Sequence, residues 1–492
     1  MMFFMIWRFS RHFSSQLRLG AAVAFAVTMA GVVHGAPPKD LPVLGDASSS
    51  LISPEMERQI GRDFLKQIHA SLPTIDDPLL KYYVAKHIAD LSQYSELKEK
   101  VLSTVLIDSD QINAFAVPGG VVGINLGLFL YGRDVHEYSS VVAHELAHLS
   151  QRHFARGVEE QRAQAIPNLA AMLAAILLGA AGGGEAAIAA ITTVQAVAQS
   201  RQLRYSRSRE TEADRIGLNT LVRANMDPDG MARMFGRMQR AYRFSSTPPE
   251  FLLTHPLSET RVADARNQTQ QYPKRTYEED LDYAMMRARA DIYYMEGARA
   301  AVTKYAKAAR EEPGSISAQY GYAVALSRAG DHEKALQIAA ALLERDPHKL
   351  LYIGTYAEFL IAAEQSDEAA QLLAHQLVIN PDNAPLSMYY ARALTESGRF
   401  TEAEAVLLRQ SRVNKGDIDV WYNLAEVAGL AGNIISVHRA RAEFFALHGA
   451  YQRAIQHLQY ARRLVSESDT KLHARLNQRI DDLRTAMRVA RS

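Results

Sequence analysis

A 34-residue period runs through the second half of this 492-residue chain. Pro313, Pro347 and Pro381 recur at that interval, each following Glu312, Asp346 or Asn380. Ala301, Ala335, Ala369 and Ala403 keep the same spacing. So do Gly330, Gly398 and Gly432, with Glu364 standing where a further glycine would fall. Such a unit holds two helices: small residues sit where the helices approach and a proline closes the second. One unit cannot bury its apolar face alone, so neighbours must stack into an α-solenoid.

This is the tetratricopeptide pattern, and it predicts an array over residues 280–490. Trp421-Tyr422-Asn423-Leu424 opens a later unit, and Gly449 with Ala454 repeats the offset of Gly330 with Ala335. The count is about four repeats with irregular ends, capped by a polar final helix rich in Arg and Asp. Arrays of this kind hold extended or helical peptide segments on a concave face. Tyr320, Tyr356, Tyr389, Tyr390 and Tyr422 fall on first helices, where some should line that face and most should be core.

Charge and cysteine narrow the function. Lys and Arg number 55 against 54 Asp and Glu, so no global field favours a nucleic-acid partner. Cysteine is absent, which excludes disulfides, thiolate metal ligands and cysteine nucleophiles. Residues 1–35 read as a cleavable signal peptide: Arg8, Arg11 and Arg18 precede an apolar stretch at 19–33, too short for a normal span. Cleavage is expected between Gly35 and Ala36, since Pro37 would obstruct the next bond. The expected destination is the periplasm. Residues 36–53 read as a linker or extended arm.

Residues 54–270 carry the chemistry. Ser53 and Pro54 open a helix as N-cap and first helical residue. Strands are expected at 101–107, at Ala114-Phe115-Ala116-Val117 and at Val121-Val122-Gly123-Ile124-Asn125, the last two joined by Pro118-Gly119-Gly120. A helix of about 135–155 then contains His144-Glu145-Leu146-Ala147-His148. Four residues make about one turn, so His144 and His148 share a face and can grip one ion. Glu145 is rotated off the pair, placed to take a proton from metal-bound water. Ala116, Val117, Gly119 and Gly120 form a candidate edge for holding substrate as an added strand, with a plain hairpin as the alternative. Residues 167–198, rich in Ala, Leu and Ile around Gly182-Gly183-Gly184, read as two helices with a flexible joint. A packed hairpin is favoured there, and peripheral membrane association stays open.

A zinc peptidase needs a third protein ligand. In Arg209-Glu210-Thr211-Glu212-Ala213-Asp214-Arg215, Glu210 and Asp214 share a helix face. Alone, this segment reads as a solvated acidic helix start, with Arg209 and Arg215 flanking Glu212. Beside His-Glu-x-x-His, it reads as a ligand with a supporting acid.

His144-Glu145-x-x-His148 followed by Glu210-x-x-x-Asp214 resembles the HtpX and CAAX-prenyl-protease type of zinc metallopeptidase. Leu252-Leu253-Thr254-His255-Pro256-Leu257-Ser258-Glu259-Thr260-Arg261 is similar to the His-Pro…Arg segment of its secreted branch, which carries a C-terminal tetratricopeptide array. The likeness covers nearly the whole mature chain. It implies a mainly α protein, with a gluzincin-type metallopeptidase domain and small β-sheet ahead of the array. It also implies His144, His148 and Glu210 as ligands of one zinc ion, Glu145 as general base and Asp214 as a supporting acid. The implied partners are defective outer-membrane β-barrel proteins and their insertion complex. In that setting His255 could take the fourth zinc position, although an ordinary surface histidine before a turn proline reads the same way. Arg261 could cap a helix or pair with an acid. His136 and His153 flank the metal helix and are read as non-ligands. The rival to a zinc metalloendopeptidase is a chaperone or adaptor that acts through the repeats while the metal site stays latent.

Overall fold

A computed structural model describes residues 52–160, 207–243 and 249–490. The expected signal peptide, nearly all of the arm and the 167–198 stretch lie outside these residues.

Helix α1 (Pro54–Ser71) starts where Ser53 Oγ accepts the Met56 amide at 3.2 Å. Helix α2 (Pro78–Ser92) is capped by Asp77, whose Oδ1 accepts from Leu79 and Leu80. Strands β1 (Ser103–Ile107), β2 (Ala114–Val117) and β3 (Val121–Asn125) form one sheet in the order β1-β3-β2. Strand β3 pairs parallel with β1 and antiparallel with β2, leaving β2 at an edge. Gly119 and Gly120 take left-handed φ of 82° and 83° in the turn between β2 and β3. A Cβ on Gly119 would stand 2.4 Å from the Glu57 carbonyl oxygen, so glycine is needed where this turn meets α1.

After α3 (Gly127–Tyr131) comes α4 (Val135–Ser150), buried from end to end and capped by Asp134. The expected 135–155 helix is therefore two. It breaks at Arg152, which has a φ of 48° and is tied by its guanidinium to Ile52 O at 2.7 Å and Glu57 Oε2 at 3.1 Å. Helix α5 (His153–Glu160) restarts at once in a new direction. Helices α6 (Arg207–Arg223), α7 (Asp229–Arg243), α8 (Glu250–Thr254) and α9 (Glu259–Thr269) complete this half.

Twelve helices follow as six pairs, from α10 (Leu281–Tyr294) to the helix Thr470–Val489. Their turns explain the glycine period. The amides of Asp331, Arg399 and Asn433 reach back to Leu326 O, Leu394 O and Ala428 O, across Gly330, Gly398 and Gly432 at φ of 87°, 74° and 75°. Gln365 makes the same bond to Leu360 O across Glu364, which adopts a φ of 61° without being glycine.

The two halves share one core. Tyr83, Phe129 and Tyr138 pack with Tyr283 of α10, in a cluster that continues through Leu351, Leu386 and Leu424 of the array. Helix α2 lies against first helices of successive pairs: Leu79 meets Gly354, and Lys81 bonds Asp417 and Asp419. Tyr320 and Tyr389 are buried at this seam, whereas Tyr422 is 47% exposed. The chain's own α2 thus lies on first helices expected to offer aromatic side chains to peptide segments. Among the described residues no helix is long and apolar enough to cross a membrane.

Candidate metal centre

Helix α4 brings His144 and His148 to one face, with ring centroids 4.6 Å apart. Helix α6 crosses it closely because position 217 is glycine: a Cβ there would lie 3.1 Å from the His144 amide nitrogen. That approach carries Glu210 and Asp214 to the histidines. The segment after α8 adds His255, and Arg261 comes from the first turn of α9, where Ser258 caps the helix.

His144 Nε2 is 3.0 Å from His148 Nε2, 3.3 Å from His255 Nδ1 and 3.5 Å from Glu210 Oε2. Glu210 Oε1 is 3.5 Å from His148 Nε2 and 3.2 Å from His255 Nδ1. Donors set 2.0–2.1 Å from one tetrahedral ion would stand roughly 3.4 Å from each other. All four residues are buried, and the donor atoms lie within 4.8 Å of one another.

The outer edges of both rings decide what the inner edges can do. His144 Nδ1 is 3.0 Å from Asp214 Oδ1, and His148 Nδ1 is 2.8 Å from His153 Nδ1. A neutral imidazole carries one proton. With that proton on Nδ1 in each ring, two bare Nε2 lone pairs face each other across 3.0 Å. In that state the donor atoms of His144, His148, His255 and Glu210 converge on one point, so the donor set fits a metal ion. The acids beside His144 also favour its charged ring, so a proton and a metal ion compete for the same inner edge. Burial alone would lower the His144 pKa, but the Asp214 and Glu210 carboxylates beside it outweigh that and raise the value to about 9. Burial works against the Glu210 carboxylate too, yet His255, His144 and His148 hold its pKa well below the usual range.

Residues 78–269 match Peptidase family M48, and residues 298–358 and 360–427 match the tetratricopeptide repeat. The beta-barrel assembly-enhancing protease of Escherichia coli K12 is 33% identical over 450 residues, covering 90% of this chain and 91% of its own. That of Yersinia pestis is 32% identical over 450 residues, with the same coverage. A Vibrio cholerae homologue is 34% identical over 449 residues, 91% of this chain and 92% of its own.

The chain belongs to the beta-barrel assembly-enhancing protease family. It is a metallopeptidase, and the remaining site residues of this family member can be placed accordingly. Glu145 points past the donor cluster, with Oε1 3.4 Å from His255 Nε2. Burial raises its pKa against the pull of His255 and His144. Asp214 is clamped by Arg261, whose Nε and Nη2 each donate at 2.7 Å, while Arg261 Nη1 lies 2.8 Å from Glu210 Oε2. Of the alternatives for Arg261, the structure places it on these acids.

Ala116 and Val117 lie on the edge strand, and the Ala116 amide bonds the Glu145 carboxylate. Gly119 and Gly120 lie beyond the strand, in the turn against α1 and the 100–102 segment, away from the donors. His136 lies at the other end of α4, in its first turn, where it accepts from the Asp227 amide. His153 is no part of the donor cluster but touches it through His148, and Glu212 bonds His153 rather than Arg209 or Arg215. That pairing was hidden in the sequence: the 150–153 break, which aims His153 back at His148, has no local signal in glycine or proline.

Proposed function

We propose that this protein is a zinc metalloendopeptidase of the periplasm, cutting outer-membrane β-barrel proteins that fail to assemble and docking on their insertion machinery through the repeat array. Support for the substrate and partner comes from the names of its relatives, and support for the compartment from the residue 1–35 pattern. Zinc is favoured by the compact three-histidine, one-carboxylate donor set. The observation that carries the reading is the convergence of His144, His148, His255 and Glu210 on one point.

In this reading His144, His148 and Glu210 hold the ion, which when bound supplies a Lewis acid that polarises the scissile carbonyl and acidifies water. Glu145 accepts the proton of the attacking water on its carboxylate and returns it to the leaving amine. Asp214 keeps the His144 proton on Nδ1, and Arg261 keeps Asp214 aimed there. The β2 edge at Ala116 and Val117 holds substrate backbone once its amides are released from Glu145. His255 occupies the fourth position at rest, so proteolysis is latent until the α8 segment moves.

Glu145→Gln should retain zinc and lose cleavage by ~10²-fold or more. Unchanged cleavage in that variant removes Glu145 from the chemistry. His255→Ala should cut faster with nearly unchanged zinc content, and slower cutting would sink the latency. An adaptor role through the repeats is the second reading, favoured by the same seating of His255 among the ligands. It predicts that Glu145→Gln keeps biological activity and that deleting the repeats abolishes it.

A further inference from the structure

The two candidate ligand histidines are backed differently. His144 meets a carboxylate directly, at Asp214. The outer nitrogen of His148 meets another imidazole, and that imidazole meets a carboxylate. His153 is fully buried at the start of α5, its ring centroid 4.8 Å from that of His148 and nearly perpendicular to it at 76°. Its Nδ1 lies 2.8 Å from His148 Nδ1, and its Nε2 lies 3.1 Å from Glu212 Oε2. Arg156 Nη1 donates to the same Glu212 oxygen at 3.0 Å.

We propose that His153 and Glu212 are positioning residues that hold His148 in its metal-binding tautomer. Glu212 is an acceptor only, so it takes the His153 proton at Nε2. His153 Nδ1 is then bare and accepts from His148 Nδ1–H. The His148 lone pair is thereby fixed on Nε2, the atom facing His144 and Glu210. With both rings neutral, reversing this relay puts a proton on His148 Nε2, where an ion must bind. Arg156 keeps Glu212 in place, and the left-handed Arg152 turns the chain so that residue 153 passes beneath residue 148. A carboxylate partner on a ligating histidine commonly strengthens metal binding; here an imidazole is interposed.

The inference rests on the zinc reading above, and zinc affinity of the full chain tests both. Zinc binding is measured by competition against a chromophoric chelator, with the thermal midpoint of the metal-free protein as a check of folding. His153→Phe preserves ring volume but offers neither acceptor nor donor, and should weaken zinc binding about 10–100-fold. His153→Gln restores an acceptor for His148 and a donor for Glu212, and should recover most of that loss. Glu212→Gln, at a partly exposed position, should weaken binding by a smaller factor, roughly 3–10-fold. Wild-type affinity in His153→Phe overturns the inference and leaves the zinc reading standing. A His153→Gln variant as weak as His153→Phe also overturns it, because His153 would then be packing alone. A wild-type chain that takes up no zinc overturns both.

Discussion

The seam between the two halves and the candidate metal centre both bury charge, and they use it differently. At the seam, Arg289 donates to Asp77 at 2.7 Å and to Glu358 at 2.6 Å, with Tyr320 and Thr355 around the guanidinium. Every strong donor there meets an acceptor. At the candidate metal centre the same tools are used, with Arg261 clamping Asp214, but the donor atoms of His144, His148, His255 and Glu210 converge on one point. A buried polar group costs stability unless it is paired. The seam is therefore an architectural lock, and the convergent donors make the pocket a place for a cation from outside.

Removing that outside component should produce the largest effect and should separate the regions. With free zinc held 10,000-fold above its dissociation constant, binding stabilises the folded chain by about 5 kcal/mol. Chelation should remove this from α4 and α6, read by hydrogen exchange, and re-added zinc should restore it. Amides of α2 and of the helix Ala384–Glu396 should change less. Equal loss in both regions would mean that the seam depends on the ion.

The converse test strikes the seam. Arg289→Met keeps much of the side-chain bulk but leaves Asp77 and Glu358 without their cation. The Arg289 side chain is only 6% exposed, so the cost should approach the roughly 3–5 kcal/mol of a broken buried pair. Chemical denaturation measures it. Zinc affinity should be unchanged; a parallel drop would erase the distinction between the regions.

Glu250 is an intermediate case. It is buried against Asn125, whose amide is 3.4 Å away, with Asn113 and Asp110 nearby. Burial raises its pKa to about 7, opposed by Asn125 and assisted by Asp110. Below pH 4.5 both folded and unfolded chains hold this proton. Between 4.5 and about 7 only the folded chain does, so stability falls as pH rises, and above about 7 the penalty is constant. Glu250→Gln should therefore match the wild type at pH 4 and exceed it by roughly 2–3 kcal/mol at pH 8. A stability difference independent of pH would show that Glu250 is not buried as the neutral acid.

How much of this was legible follows from how local each cause is. His144, His148, Glu210 and Asp214 stand at helical spacings, so the chain itself reveals that each pair shares a face. The 34-residue period revealed the helix pairs, and the gap in its glycines marked Glu364. That the left-handed turn persists there is decided by the flanking helices, and Glu364→Gly should stabilise the array by about 1 kcal/mol in thermal unfolding. The meeting of Leu79 with Gly354 leaves no trace in either neighbourhood, because it depends on how the array curls around α2. For the same reason His153 read as a bystander: its importance lies in a contact with His148 and a distant Glu212, set up by one left-handed arginine.

The smallest expected effect sharpens the comparison within the seam itself. Lys81 bonds Asp417 at 2.9 Å and Asp419 at 2.6 Å, yet its side chain keeps 30% of its exposure and theirs 27% and 24%. Water and salt reach this cluster as they do not reach Arg289, so its Coulomb energy is screened. Lys81→Met should cost no more than about 1 kcal/mol at low salt, and less at 1 M salt, where the Debye length is ~3 Å. The Arg289→Met loss should barely move over that range. If instead the Lys81 loss is large and indifferent to salt, the cluster is sealed like the one around Arg289, and α2 is locked to the array at both points.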